Sequence, residues 1–218
     1  MQTTHKFRID IILTTIFVLI PICIWLFMQP IAPRFSTSFM FWTSLGQITS
    51  IIGTTLVALS MIFQIRLGKY FTFLSKPTTM TNFHHYTGVY GLFFLILHPI
   101  FLAMRAISIS PISGFNFIFT TDIINLTALI ALIFMILSVY VTLFVQRSFR
   151  YWKLFHQLML LAYLLIIYHL IFTTSDISRN VPLRIYIFSL MIIGGFAFGV
   201  QKIMYYNKKY FSNKEVVN

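Results

Sequence analysis

Apolar positions along the chain fall into six long runs separated by short polar stretches: about Ile11 to Met28, Phe39 to Ile65, His84 to Met104, Ile123 to Val145, Leu154 to Thr173 and Leu183 to Met204. Each run is close to the roughly 20 residues that a helix needs to cross the hydrocarbon core of a bilayer. The pattern predicts an all-α integral membrane protein, a six-transmembrane-helix bundle in which residues 1–218 form a single domain. The first run follows basic residues, as in a secretory signal, but it is long and lacks a small-residue cleavage pattern before "MQPIAPRF". It is therefore read as a retained helix.

Composition agrees with that picture. Hydrophobic residues make up 58% of the chain, aromatic residues 18% and charged residues only 9%, and the mean hydropathy is +0.86. A soluble domain has no interior large enough to hide so much apolar surface.

The net charge of +12 then supplies an orientation, because lysines and arginines concentrate in cytoplasmic loops. With the N-terminus inside, twelve basic residues fall in inner segments, and only Arg34, Arg105, Arg179 and Arg184 fall in outer ones. Both termini are expected in the cytoplasm of a cell bounded by this inner (plasma) membrane. Anionic inner-leaflet lipid accounts for the basic charge, and no nucleic-acid partner is expected. Cys23 stands alone inside the first run, which excludes an intramolecular disulfide or a cysteine-held cluster and reads as a small packing residue. Gly195 and Gly199 form a small-xxx-small pair in the last run, a spacing that reads as close helix packing.

Five of the six histidines lie in or at the edge of two of these runs. His84, His85 and His98 belong to the third and His156 and His169 to the fifth, whereas His5 is in the N-terminal tail. Ionisable side chains in a membrane are costly and default to a functional reading. From His84 to His98 is 14 residues and from His156 to His169 is 13, so each pair spans about 20 Å of helix. The topology makes both helices run from inside to outside. Each then offers one imidazole near the inner surface and one near the outer, with His84 facing His156 and His98 facing His169.

A porphyrin held between two helices by an imidazole on each side is six-coordinate and suited to electron transfer. Two stacked haems would fill the two levels. A step of 14 residues returns to within about 40° of the same helix face, whereas 13 leaves the second ring some 140° away. The fifth helix is thus expected either to be irregular or to send its histidines in from different sides. His85, 13 residues before His98, is the competing inner ligand. His84 is preferred on the face argument, leaving His85 an interfacial histidine near a haem propionate.

The pieces "HHYTG" with "LH", followed by "FHQ" with "YH", resemble the ferric reductase transmembrane domain. That family includes ferric-chelate reductases, NADPH oxidases and the membrane subunit of bacterial periplasmic methionine sulfoxide reductase. The resemblance covers all six expected helices and implies two b-type haems passing single electrons outward. His84, His98, His156 and His169 match the family's iron-ligand positions. Larger members continue into a cytosolic FAD and NAD(P)H domain, for which this sequence has no Gly-rich dinucleotide loop. The chain therefore looks like the stand-alone bacterial forms, an oxidoreductase subunit served by a separate cytoplasmic-side donor, a flavoprotein or quinol. The flavin or quinone would belong to that donor. An extracytoplasmic partner reductase or ferric iron would accept the electrons.

Two departures from the family stand out. A complete set of four histidines is unusual in the sulfoxide reductase subgroup, and Ala162 occupies a position where many oxidases carry an aromatic between the haems, with Tyr163 adjacent. The resemblance also gives supporting residues two readings each. Gly88 and Gly91 would either let a porphyrin approach the backbone or simply pack helices. Arg150, Lys153 and Lys76 lie at the inner haem's depth and would either pair with propionates or follow the positive-inside rule. Arg105, Arg179 and Arg184 run against that rule and suit outer propionates, an anionic acceptor or a docking partner. The stretch Ile107 to Thr121 is a loop that can receive the acceptor. Two other readings are a quinol-oxidising cytochrome b of the bc type and, in another class, a histidine-dependent metal or proton transporter.

Overall fold

The computed structural model describes residues 2–27, 35–64, 77–118, 122–145, 152–173 and 179–215. Side chains are described from residue 11 in the first of these segments, over 81–117 in the third, from 154 in the fifth and up to 204 in the last. Every regular element among the described residues is a helix. In chain order these are α1 (Gln2–Phe27), α2 (Ser38–Phe63), α3 (Pro77–Ile107), α4 (Pro111–Ile118), α5 (Ile123–Phe144), α6 (Trp152–Phe172) and α7 (Val181–Glu215). Five of them, α2, α3, α5, α6 and α7, are long and apolar enough to cross a membrane, and the apolar part of α1 is the shorter stretch Ile11–Phe27. The chain is an all-α, multi-pass membrane protein.

Local signals set the helix starts. Thr37, Asp122 and Asn180 accept the backbone N–H groups of Met40, Ile124 and Leu183, so each caps the helix that follows it. Pro77 and Pro111 open α3 and α4, where a missing N–H costs nothing. The stretch expected as an outer loop therefore contains a helix, α4, started by Pro111 and by the Ser110 hydroxyl accepting the Ser113 N–H. Within the spans, Thr43, Thr49, Thr87 and Thr142 donate their hydroxyls to the carbonyls of Phe39, Leu45, Phe83 and Ser138. This is how a hydroxyl is carried through hydrocarbon without an unmet bond.

The closest packing in the bundle is α2 against α3, and glycines on both helices make it. A Cβ added at Gly53 would lie 2.8 Å from Leu95 Cγ and 3.0 Å from the Leu95 backbone nitrogen, and one at Gly91 would lie 2.9 Å from Val57 Cγ2. Without side chains at these points, the two backbones meet directly. α2 also packs on α7, and α5 on α6. The two pairs are joined at Gly194 of α7, where an added Cβ would stand 2.7 Å from the Tyr163 hydroxyl of α6 and 3.1 Å from the Ala58 carbonyl of α2. Close packing in this helix thus belongs to Gly194. Among the described residues the expected small-xxx-small pair does not carry it: a Cβ added at Gly195 would meet only Tyr163, at 3.8 Å, and one at Gly199 nothing within 4 Å.

Helix α1 is attached by fewer contacts, and one of them follows from a proline. Pro21 has no N–H for the carbonyl of Phe17 four residues earlier, and the Tyr186 hydroxyl of α7 donates to that carbonyl at 2.7 Å. Trp25 anchors the same helix in the core. Cys23 is exposed on α1 and lines a groove toward Pro182, so it is not the internal packing residue expected of it. α7 runs on to Glu215, well past Met204, because its polar end "YYNKKYFSNKE" stays helical after the apolar run stops.

Candidate functional site

α3 carries His84, His85 and His98, and α6 carries His156 and His169. The two helices lean on different neighbours, α3 on α2 and α6 on α5, and among the described residues they do not pack on each other in the way either packs on its partner. Across the space between them the His84 and His156 rings approach to 6.1 Å between centres, at an interplanar angle of 86°. His85 sits beside His84 at 5.3 Å. These three rings line one cleft with Ser60, Thr142 and Met159. Nearer the other end, His98 and His169 lie within electrostatic range of each other.

The hydrogen bonds of the four rings follow one rule. His84 Nδ1 lies 2.8 Å from the Ser60 carbonyl, His98 Nδ1 2.8 Å from the Gly46 carbonyl and His169 Nδ1 2.9 Å from the Ile124 carbonyl. A carbonyl only accepts, so Nδ1 holds the proton in each case. His156 Nδ1 lies 3.3 Å from the Thr142 hydroxyl, whose own proton goes to the Ser138 carbonyl, so this oxygen too accepts. All four imidazoles are set in the same tautomer, with the lone pair on Nε2. A metal-bound histidine characteristically gives its other N–H to a carbonyl or carboxylate, which fixes tautomer and ring orientation.

The register explains how one neighbour helix serves both rings of a pair. His84 to His98 is 14 residues on α3, and their acceptors Ser60 and Gly46 are 14 apart on antiparallel α2. α6 is a continuous helix, not an irregular one, yet His156 and His169 both reach α5, one through a side chain and one through the main chain. Among the described residues no group of three or more His, Cys, Asp or Glu converges on a point as a four-coordinate metal centre would require.

The remaining sequence-predicted residues fall in varied places. Gly88 borders the cleft of His84 and His156, and a Cβ there would meet Ser60 Oγ at 3.1 Å. Arg105 holds its guanidinium over the Phe39 ring at 5.4 Å, and its Nε is buried with no hydrogen-bond partner among the described residues. Arg179 and Arg184 are exposed. Arg150 and Lys76 lie outside the described residues, as does the side chain of Lys153, which stands in the first turn of α6. Ala162 is fully buried in the core, and Tyr163 turns away toward α7, donating its hydroxyl to the Met191 carbonyl at 2.6 Å.

Sequence reading did not single out Gly46, Ser60, Ile124 or Thr142 as histidine partners. It counted Lys202 only as an inner charge. Lys202 lies within electrostatic range of His156, with its ammonium 5.4 Å from the centre of the Phe198 ring.

Comparison with protein families gives a match to the ferric reductase like transmembrane component over residues 49–167, more than half of the chain. The chain belongs to the ferric reductase-like transmembrane family. The matched segment of this ferric reductase-like protein runs from α2 into α6 and holds His84, His98 and His156, with His169 two residues beyond its end. No curated protein and no solved structure matches the chain.

Proposed function

We propose that this ferric reductase-like protein carries single electrons across the plasma membrane on two b-type haems. One is held by His84 and His156, the other by His98 and His169. The observation that carries this reading is the common tautomer: four membrane histidines on two helices, each giving Nδ1–H to an oxygen of a neighbouring helix and keeping Nε2 as the ligand nitrogen. Two further observations fit haem. A metal with imidazole nitrogens about 2 Å to either side needs ring centres about 6 Å apart, close to the 6.1 Å between His84 and His156. The buried Nε of Arg105, which has no hydrogen-bond partner among the described residues, supplies a donor for an outer propionate.

Haem held by His84 with His156 and by His98 with His169 would supply one-electron transfer. The protein's residues do the rest. α2 and α5 orient the imidazoles through Ser60, Gly46, Ile124 and Thr142, and the apolar spans keep water from the ligands. Lys153 and Lys202 offer positive charge on the cytoplasmic side, and Arg105 offers it on the outer side.

In this reading α1 completes a six-helix bundle with both termini cytoplasmic, as the distribution of basic residues requires. A flavoprotein or quinol donates from the inside, and ferric iron or a partner reductase accepts outside. An inside-negative potential favours that direction by roughly 2.3 kcal/mol per elementary charge for each 100 mV.

The test is the visible spectrum of the purified protein before and after dithionite, with a pyridine haemochrome count of haem per chain. Two low-spin b haems are expected, falling to one in His98→Ala or His169→Ala and remaining two in His85→Ala. A colourless protein, despite haem supply during expression, would overturn the proposal.

A further inference from the structure

Three of the four imidazole N–H groups end on main-chain carbonyls, which no side-chain substitution removes. The fourth ends on a hydroxyl, that of Thr142, at the longest distance of the set, 3.3 Å. Resting on the haem reading above, we propose that Thr142 is a positioning residue for His156 that sets the reduction potential of the haem shared with His84.

The geometry gives the hydroxyl one role. Thr142 is one turn beyond Ser138 on α5 and donates its proton to the Ser138 carbonyl at 2.7 Å, which turns an oxygen lone pair toward His156 Nδ1. Ser138 borders the same cleft, but its buried hydroxyl makes no bond to His156. The Thr142 hydroxyl is thus an acceptor that a side-chain substitution can change.

The consequence is chemical. An acceptor on Nδ1–H draws the proton outward and makes the imidazole a stronger donor through Nε2, which stabilises ferric over ferrous iron and lowers the potential. Removing the acceptor weakens that donation. The ring also loses the contact that holds its tautomer, so the effect is confined to one of the two haems.

The experiment is a spectroelectrochemical titration of the purified full-length protein with its haems, comparing Thr142→Val, which keeps the shape and loses the acceptor, with Thr142→Ser, which keeps the hydroxyl. In Thr142→Val one of two potentials should rise and the other stay in place, and Thr142→Ser should return the first to the wild-type value. Loss of one haem in Thr142→Val that Thr142→Ser restores supports the same role. Two unchanged potentials in Thr142→Val would overturn the inference, as would equal shifts of both or loss of haem in both variants. If the wild-type protein holds no haem, the function proposed above fails and this inference with it, a result distinct from haems whose potentials ignore Thr142.

Discussion

The two helix pairs that present the histidines solve the same problem with different means. α2 and α3 close on each other through Gly46, Gly53, Gly88 and Gly91, and His84 and His98 of α3 rest on main-chain carbonyls of α2. α5 and α6 contain no glycine at all, pack through side chains, and hold one imidazole by a carbonyl and the other by a hydroxyl. A histidine that must reach a neighbour's backbone needs that backbone close: glycines bring it there along α2 and α3, whereas His169 reaches the Ile124 carbonyl at the start of α5 without one. At His156 the acceptor is instead a side chain, the Thr142 hydroxyl. The first pair is fixed by its backbone and the second is open to tuning.

The largest effect is expected where that contrast is broken in the tighter pair. Gly53 lies midway between Gly46 and Ser60 on α2, and an added methyl would press on Leu95 Cγ and on the Leu95 main chain together. The backbone cannot rotate out of the way as a side-chain tip can. Gly53→Ala should therefore cost about 1–3 kcal/mol, in the range of overpacked cores, read as a lower melting temperature in detergent. Under the proposed function both haems should also dissociate faster, since both carbonyls move. A wild-type melting temperature would show that α2 and α3 do not depend on direct backbone contact.

The sequence makes half of this arrangement legible. Long apolar runs announce α2, α3, α5, α6 and α7 because composition alone decides what hydrocarbon accepts, and the paired histidines are conspicuous because ionisable residues are rare there. The acceptors are hidden for a physical reason: a carbonyl belongs to every residue, so nothing in "SLGQ" or "TDIINL" marks Gly46 or Ile124 as a partner. Ser60 and Thr142 carried the one available signal, a hydroxyl in an apolar run at the depth of a histidine. Gly194 was overlooked because the motif that draws attention to a helix, glycines four apart, points to Gly195 and Gly199, whereas contact with a neighbour depends on which face the packed helix turns inward. The 13-residue spacing on α6 implied a distorted helix only while both rings were assumed to need the same face.

A middle-sized effect is expected at the link between the pairs. Tyr163 joins α6 to α7 through its hydroxyl bond to the Met191 carbonyl, and α7 in turn packs on α2. Hydrogen bonds between membrane helices average about 0.6 kcal/mol and reach about 1.7, and this one is short and fully buried. Tyr163→Phe should cost about 1 kcal/mol of stability by that scale, with haem content and both potentials unchanged. A shifted potential would instead place the ring on the electron's route and remove the distinction between linking helices and serving the histidines.

The smallest effect sharpens the comparison most, because it asks whether main-chain and side-chain acceptors really differ. His84 Nδ1 has two oxygens of one residue before it, the Ser60 carbonyl at 2.8 Å and the Ser60 hydroxyl at 3.0 Å. The hydroxyl also donates to the His84 carbonyl at 2.9 Å, tying α2 to α3 once more. Ser60→Ala removes the hydroxyl and leaves the carbonyl, so the imidazole keeps its tautomer and its donor strength. The loss should be about 0.6 kcal/mol of stability, the average for one interhelical bond, with the potential of the His84 and His156 haem unmoved. Across the proposed haem, Thr142→Val removes the hydroxyl that accepts from His156 Nδ1. If Ser60→Ala moved the potential as far as Thr142→Val, a hydroxyl would matter even where a carbonyl stands ready, and the difference between the rigid pair and the tunable one would vanish.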